Sequence, residues 1–136
     1  LVPGFEAPTH ANWSLTNYSD LIRVPQFNIQ QKDSARIEYR VADPACNPYL
    51  VLSAVLAAGL EGINKKYKLK NITDSDAEKL PESLGESIKL FKKSKLMMKL
   101  LGKDSFNALI KNKEEEWGEY KKHVSNYELE NYLSIL

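Results

Sequence analysis

The chain has 136 residues, the length of a single domain that can bury one hydrophobic core. Hydrophobic residues make up 43% and charged residues 27%, and no apolar run approaches the roughly 20 residues of a membrane span, which excludes wholesale disorder and a membrane protein. Nineteen Lys and Arg against eighteen Asp and Glu give a net charge of +1, which gives no electrostatic basis for nucleic-acid binding.

Two further features concern the origin of the chain and its compartment. The sequence opens with Leu1-Val2-Pro3 rather than Met or a targeting segment, so we expect it to be a piece of a longer protein. The single cysteine, Cys46, cannot form an intrachain disulfide, and this favours a reducing, cytoplasmic setting.

Residues 1–45 are predicted to form loops and two short strands. Residues 19–25 are partly β-branched and end at Pro25, which cannot donate to a strand ladder. Residues 36–41 alternate strictly between charged and apolar side chains, which is typical of a strand. The charged side chains that share one face are Arg36, Glu38 and Arg40.

Residues 46–136 are predicted to be helical. Asn47 is an N-cap residue followed by Pro48, and the helix it opens is apolar nearly all round to about Lys65, which predicts that it is buried. Further start and stop signals predict helices over residues 83–93, 95–101, 104–124 and 125–136. The predicted fold class is therefore α+β, with short antiparallel strands packed on a C-terminal helical bundle.

The charged strand face has two interpretations. Three charged side chains cannot pack into an apolar core, because burying an unpaired charge is too costly. They form either a solvated outer face with ion pairs, or an anion site in which guanidiniums bind phosphate or carboxylate while Glu38 ligates a hard divalent cation. Arg23, on the preceding strand, adds a guanidinium if the two strands pair. The pattern alone leaves both interpretations open.

The order of these segments resembles the C-terminal portion of glutamine synthetase in its bacterial and archaeal class I form. The resemblance is specific over residues 1–65 and looser over the helical remainder. The segments that carry it are Leu1-Val2-Pro3-Gly4-Phe5-Glu6-Ala7-Pro8, Leu21-Ile22-Arg23-Val24-Pro25, Ala35-Arg36-Ile37-Glu38-Tyr39-Arg40 and Asp43-Pro44-Ala45-Cys46-Asn47-Pro48-Tyr49-Leu50.

The resemblance implies a ligase that makes glutamine from glutamate, ammonia and ATP through γ-glutamyl phosphate, with Mg²⁺ or Mn²⁺. Glu6, on spacing alone a solvated loop carboxylate, would lie on a flap over glutamate and help to deprotonate ammonium. Arg23 and Arg36 would contact the nucleotide phosphates and the transferred phosphoryl group. Glu38 would ligate magnesium, and Arg40 would hold glutamate or its phosphorylated side chain.

The resemblance also implies an organisation. Residues 1–136 would be a single C-terminal portion of the catalytic domain, with active-site loops and strands over 1–45 and helices over 46–136. The β-grasp domain and most metal-binding carboxylates would lie upstream, so this portion alone is expected to be inactive. The terminal helix, with an apolar stripe and no later segment to cover it, would help to hold a double-ring homo-oligomer.

One of the departures from the family pattern concerns a residue expected to contact the substrate. The family usually has an Asn-Arg-Ser stretch before the first strand, whereas this chain has Asn17-Tyr18-Ser19. Two alternatives to the ligase follow: a non-catalytic interaction module derived from the enzyme, and a sibling γ-glutamyl ligase that uses another amine.

Overall fold

The computed structural model describes residues 7–26, 30, 34–69, 76–133 and 135. Within these ranges the chain is α+β, as predicted, and its described residues fall into two compact units, Leu1–Ser83 and Leu84–Leu136. No helix in the described ranges is both long enough and apolar enough to cross a membrane. The elements are β1 (Trp13–Ser14), β2 (Ile22–Arg23), β3 (Glu38–Tyr39), α1 (Pro48–Asn64), α2 (Leu84–Lys93), α3 (Lys95–Tyr120) and α4 (Asn126–Tyr132).

The first unit contains a small sheet in the order β1-β2-β3. β2 and β3 pair antiparallel, with Arg23 opposite Glu38, which confirms the predicted pairing of these two segments. β1 pairs with β2 in parallel, with Trp13 opposite Ile22. The prediction of two antiparallel strands missed β1, although residues 11–16 alternate between apolar and polar side chains.

A buried polar pair fixes the loop between β1 and β2. Asn12 and Asp20 are both buried, and the Asn12 Nδ2 donates to Asp20 Oδ1 at 2.7 Å. The backbone N–H of Leu21 donates to the Asn12 Oδ1 at 3.0 Å. Because each buried polar group needs a partner, this pair specifies the path of the loop, which carries Tyr18.

Helix α1 has the predicted ends and an unexpected exposure. The Asn47 side chain accepts hydrogen bonds from the first-turn N–H groups, Pro48 is the first helical residue, and Lys65 is the C-cap. The predicted burial of α1 is wrong, since none of its residues is buried and Leu52 is 68% exposed. The apolar composition of α1 shows which side chains avoid water, but none of the described strands of its own unit packs on it.

The second unit is built on the packing of α2 against α3. Phe106, on α3, is 2% exposed and its ring stacks on Phe91 at a centroid distance of 5.0 Å. A Cβ at Gly85 would lie 2.7 Å from the Trp117 ring, so glycine permits the close approach of the two helices. Ile88 is also buried in this small core.

Helix α3 is interrupted at Gly102, which has φ 72° and ψ 161°. The sequence predicts a short helix that ends at Gly102 and a second one capped by Asp104. The break lies at Gly102, as predicted, but the predicted cap is wrong, because Asp104 is already inside the second helical segment. The positive φ suits glycine, because a Cβ disfavours that conformation.

Helix α4 begins with the predicted capping box. The backbone N–H of Ser125 donates to the Glu128 carboxylate at 2.8 Å, and the Glu128 N–H donates to the Ser125 hydroxyl oxygen at 3.3 Å. The described apolar side chains of the predicted terminal stripe are exposed, and Leu136 lies outside the described residues. These exposed side chains are Leu129, Tyr132 and Leu133.

Candidate functional site

Four charged residues lie on β2, β3 and their flanks, and we call them the arginine–glutamate cluster: Arg23, Arg36, Glu38 and Arg40. Its centre is the antiparallel pair of Arg23 and Glu38. The Arg23 Nε donates to Glu38 Oε2 at 2.7 Å, and its Nη2 donates to Glu38 Oε1 at 2.8 Å. This two-pronged geometry is the strongest form of an ion pair between these groups, and the Arg23 side chain is only 14% exposed.

Arg36 adds a second guanidinium to the same carboxylate. Its Nη2 donates to Glu38 Oε1 at 3.0 Å, and its Nε donates to the same oxygen at 3.2 Å. The Arg36 side chain is 56% exposed, so this ion pair is weaker than the pair made by Arg23. The predicted sharing of one face by Arg36 and Glu38 is confirmed.

The contacts of Glu38 change its acidity. Hydrogen bonds from Arg23, and secondarily from Arg36, lower the pKa of the Glu38 carboxyl from 4.5 to about 2, although burial opposes them. The pKa of Arg23 is raised above its ordinary value, mainly by the hydrogen bond to Glu38 and to a lesser extent by Tyr18. Both groups are therefore charged at neutral pH.

This lowered pKa predicts a loss of stability in acid. Because the pKa of Glu38 is lower in the folded than in the unfolded chain, its contribution is present above pH 4.5 and is lost as the pH falls toward about 2. We expect the thermal unfolding midpoint to fall more steeply over this window in the parent than in Glu38→Gln. Glu130→Gln, at an exposed site on α4, serves as the control and should follow the parent. The prediction would be contradicted if the unfolding midpoints of Glu38→Gln and of the parent fell by the same amount over this pH range.

Tyr18 joins the cluster from the loop before β2. The Arg23 Cζ lies 4.2 Å from the centroid of the Tyr18 ring, and the Arg40 Cζ lies 5.6 Å from it. Both distances fall within the range of cation–π attraction. The Asn17 Nδ2 donates to Asp20 at 3.2 Å and the Asn17 Oδ1 accepts from the Ser19 N–H, so this turn is anchored on both sides of the ring.

Arg40 completes the cluster through its backbone. Its N–H donates to the Leu21 carbonyl at 3.0 Å, which extends the pairing of the two strands by one residue. The structure thus brings together four of the five predicted site residues, while Glu6 lies outside the described residues. The contact of Tyr18 with two arginines was missed, because alternation along one strand says nothing about a loop residue.

Comparison with known proteins identifies the family. Residues 1–132 match the family model of the glutamine synthetase catalytic domain. The chain belongs to the glutamine synthetase family. The glutamine synthetase of Mycolicibacterium smegmatis is 41% identical over 99% of this chain and 33% of its own length. That of Methanosarcina mazei is 42% identical over 100% of the chain and 33% of its own length. The chain therefore spans about a third of the length of these glutamine synthetases.

Solved structures agree with this family membership. A GmaS/ADP complex is 27% identical, with a TM-score of 0.76 over 95% of this chain and 30% of its own chain. The cryo-EM structure of Plasmodium falciparum glutamine synthetase, 24% identical, shares the fold with a TM-score of 0.81 over 97% of this chain and 36% of its own. The predicted resemblance to glutamine synthetase is confirmed.

The described residues do not by themselves fit the divalent cation that the glutamine synthetase resemblance implies. Both Glu38 carboxylate oxygens accept hydrogen bonds from guanidinium groups. A hard divalent cation takes six or so oxygen ligands, and no group of three or more His, Cys, Asp or Glu in the described ranges could hold a metal ion. The cluster carries three guanidiniums against one carboxylate, and this excess of positive charge suits anions.

Proposed function

We propose that the full-length protein containing this chain is an ATP-dependent glutamate–ammonia ligase. In this reaction the γ-carboxylate of glutamate attacks the terminal phosphorus of ATP and releases ADP. Ammonia then attacks the acyl carbon, loses a proton and displaces phosphate, which leaves glutamine. The observation that supports this proposal is the arginine–glutamate cluster, placed on adjacent strands of a chain that belongs to the glutamine synthetase family.

The proposed roles follow from the charges of the cluster. Phosphoryl transfer needs positioning and neutralisation of charge more than covalent help from the protein. Arg23 and Arg36 would contact the nucleotide phosphates and the transferred phosphoryl group, and Arg40 would bind the glutamate carboxylate or the acyl phosphate. Glu6 would help to deprotonate ammonium. The role of Glu38 as a ligand of Mg²⁺ or Mn²⁺ stays a prediction.

We also propose a cytoplasmic, double-ring homo-oligomer for the full-length protein. The apolar side chains exposed on α1 and α4 support an assembly in which further protein covers them. Leu52 and Leu56 on α1 and Leu133 at the end of α4 are each more than half exposed.

The test of the ligase is ADP release by the purified full-length protein. We expect turnover only when glutamate, ammonia and ATP are all present with Mg²⁺. Residues 1–136 produced alone are expected to be inactive. The arginine–glutamate cluster has a single carboxylate, and the described residues contain no group of three or more His, Cys, Asp or Glu that could hold the metal ion.

The alternatives give different outcomes in the same assay. Turnover with an organic amine but not with ammonia would indicate the sibling γ-glutamyl ligase. Absence of glutamate-dependent turnover in the full-length protein would contradict the ligase and favour a non-catalytic module. Glutamate-dependent turnover by residues 1–136 alone would show that the rest of the protein is not needed.

A further inference from the structure

The Tyr18 ring contacts two arginines that come from different segments of the chain. Arg23 is on β2 and lies 4.2 Å from the ring centroid, measured from its Cζ, whereas Arg40 follows β3 and lies 5.6 Å away. Tyr18 itself is 56% exposed, so the ring is not part of a hydrophobic core. Its only partners of cation–π type in the described part of the chain are these two guanidiniums.

An aromatic ring face and an ion pair constrain a guanidinium group in different ways. Arginine stacks its plane on an aromatic face while its N–H groups stay available at the edge of that plane. In Arg23 the edge bearing Nε and Nη2 is held by Glu38, and the ring adds a second, independent constraint on the same group. A flexible arginine held in this way loses less freedom when it binds an anion, which strengthens binding.

The loop that carries the ring is itself fixed. The buried Asn12–Asp20 pair closes its base, and the Asn17 side chain makes hydrogen bonds to Asp20 and to the Ser19 backbone. The loop that carries Tyr18 is therefore held by polar contacts that do not involve the arginines.

We propose that Tyr18 is a positioning residue whose ring face aligns Arg23 and Arg40 for binding the anionic groups of the two substrates. This inference rests on the proposed function, in which Arg23 binds phosphate oxygens and Arg40 binds a carboxylate. One ring then sets the geometry of both subsites, and its loss affects the binding of ATP and of glutamate together. The Tyr18 side chain also hydrogen-bonds Arg23, but the proposed role belongs to the ring face, which Tyr18→Phe keeps.

The test compares Tyr18→Phe with Tyr18→Leu in the full-length protein. Tyr18→Leu is expected to raise KM for ATP and for glutamate by up to about tenfold, because two cation–π contacts are lost. Tyr18→Phe keeps the ring and should stay within about twofold of the parent. Leu15→Ala, at an exposed position of the same loop, is the matched control and should leave both KM values unchanged. Unfolding midpoints of all variants should match the parent, since both sites are exposed.

Two results would overturn the inference. Equal KM values for Tyr18→Leu and the parent would show that the ring positions nothing, and equal losses in Tyr18→Phe and Tyr18→Leu would assign the effect to the hydroxyl group. Calorimetric titration with ATP separates this inference from the proposed function, because it needs no turnover. Weaker ATP binding by Tyr18→Leu in a protein that makes no glutamine would reject the ligase and support the positioning role. A parent that neither binds ATP nor makes glutamine would overturn both.

Discussion

Arg23→Lys in the full-length protein is expected to lower kcat/KM for glutamine formation by about a hundredfold. This is within the range found when an enzyme loses one hydrogen-bond donor that stabilises the charge of the transition state. Lysine keeps the positive charge, but its ammonium group is a compact point charge that cannot make the two parallel hydrogen bonds of a guanidinium. Arg23 uses that geometry on both oxygens of Glu38, and its Cζ lies 4.2 Å from the centroid of the Tyr18 ring. The substitution therefore removes the two-pronged bond to Glu38 and replaces the planar group that lies over the ring.

Arg36→Lys is the matched control for this prediction. Arg36 bonds a single oxygen of Glu38 and its side chain is 56% exposed, so we expect a loss of only a few-fold. Steady-state kinetics of the two variants under identical conditions measure the difference. Equal losses in both variants would show that the partly buried, two-pronged pair of Arg23 and Glu38 has no special part in the reaction.

Phe106→Ala is expected to destabilise the second unit by about 3–5 kcal/mol, the usual range for removing a buried phenylalanine. Phe106 is 2% exposed and stacks on Phe91, and few other side chains of this unit are buried. The cavity left behind cannot be filled easily, because α2 is already held close to α3 at Gly85 and Trp117.

Urea unfolding followed by circular dichroism measures this loss. Leu90→Ala, at an exposed position on α2, is the control and should cost less than about 1 kcal/mol. A Phe106→Ala variant as stable as Leu90→Ala would mean that the contact between α2 and α3 does not form the core of this unit.

Local signals predicted the helix ends and the charged strand face. The caps at Asn47 and Ser125 depend on hydrogen bonds to residues two or three positions away, so the sequence contains all the information they need. The shared face of Arg36 and Glu38 follows from the period of two of an extended strand. These features need no knowledge of the rest of the fold.

Features that depend on distant groups were not predictable in the same way. The exposure of α1 depends on what packs against it, and the sequence of the helix does not contain that information. The position of Tyr18 depends on Asn12 and Asp20, which pair across eight residues inside the fold. The parallel pairing of β1 depends on its hydrogen bonds to β2, which neither segment shows by itself.

The kink at Gly102 has a consequence for how α3 tolerates changes in length. In an unbroken helix, inserting one residue rotates every side chain after the insertion by about 100° around the helix axis, relative to the side chains before it. The helix is already interrupted at Gly102, so the side chains of residues 95–101 need not keep a fixed rotation relative to those of residues 103–120. Insertions or deletions in the first segment can therefore be absorbed at the glycine, while Phe106 and Trp117 keep their orientation toward α2.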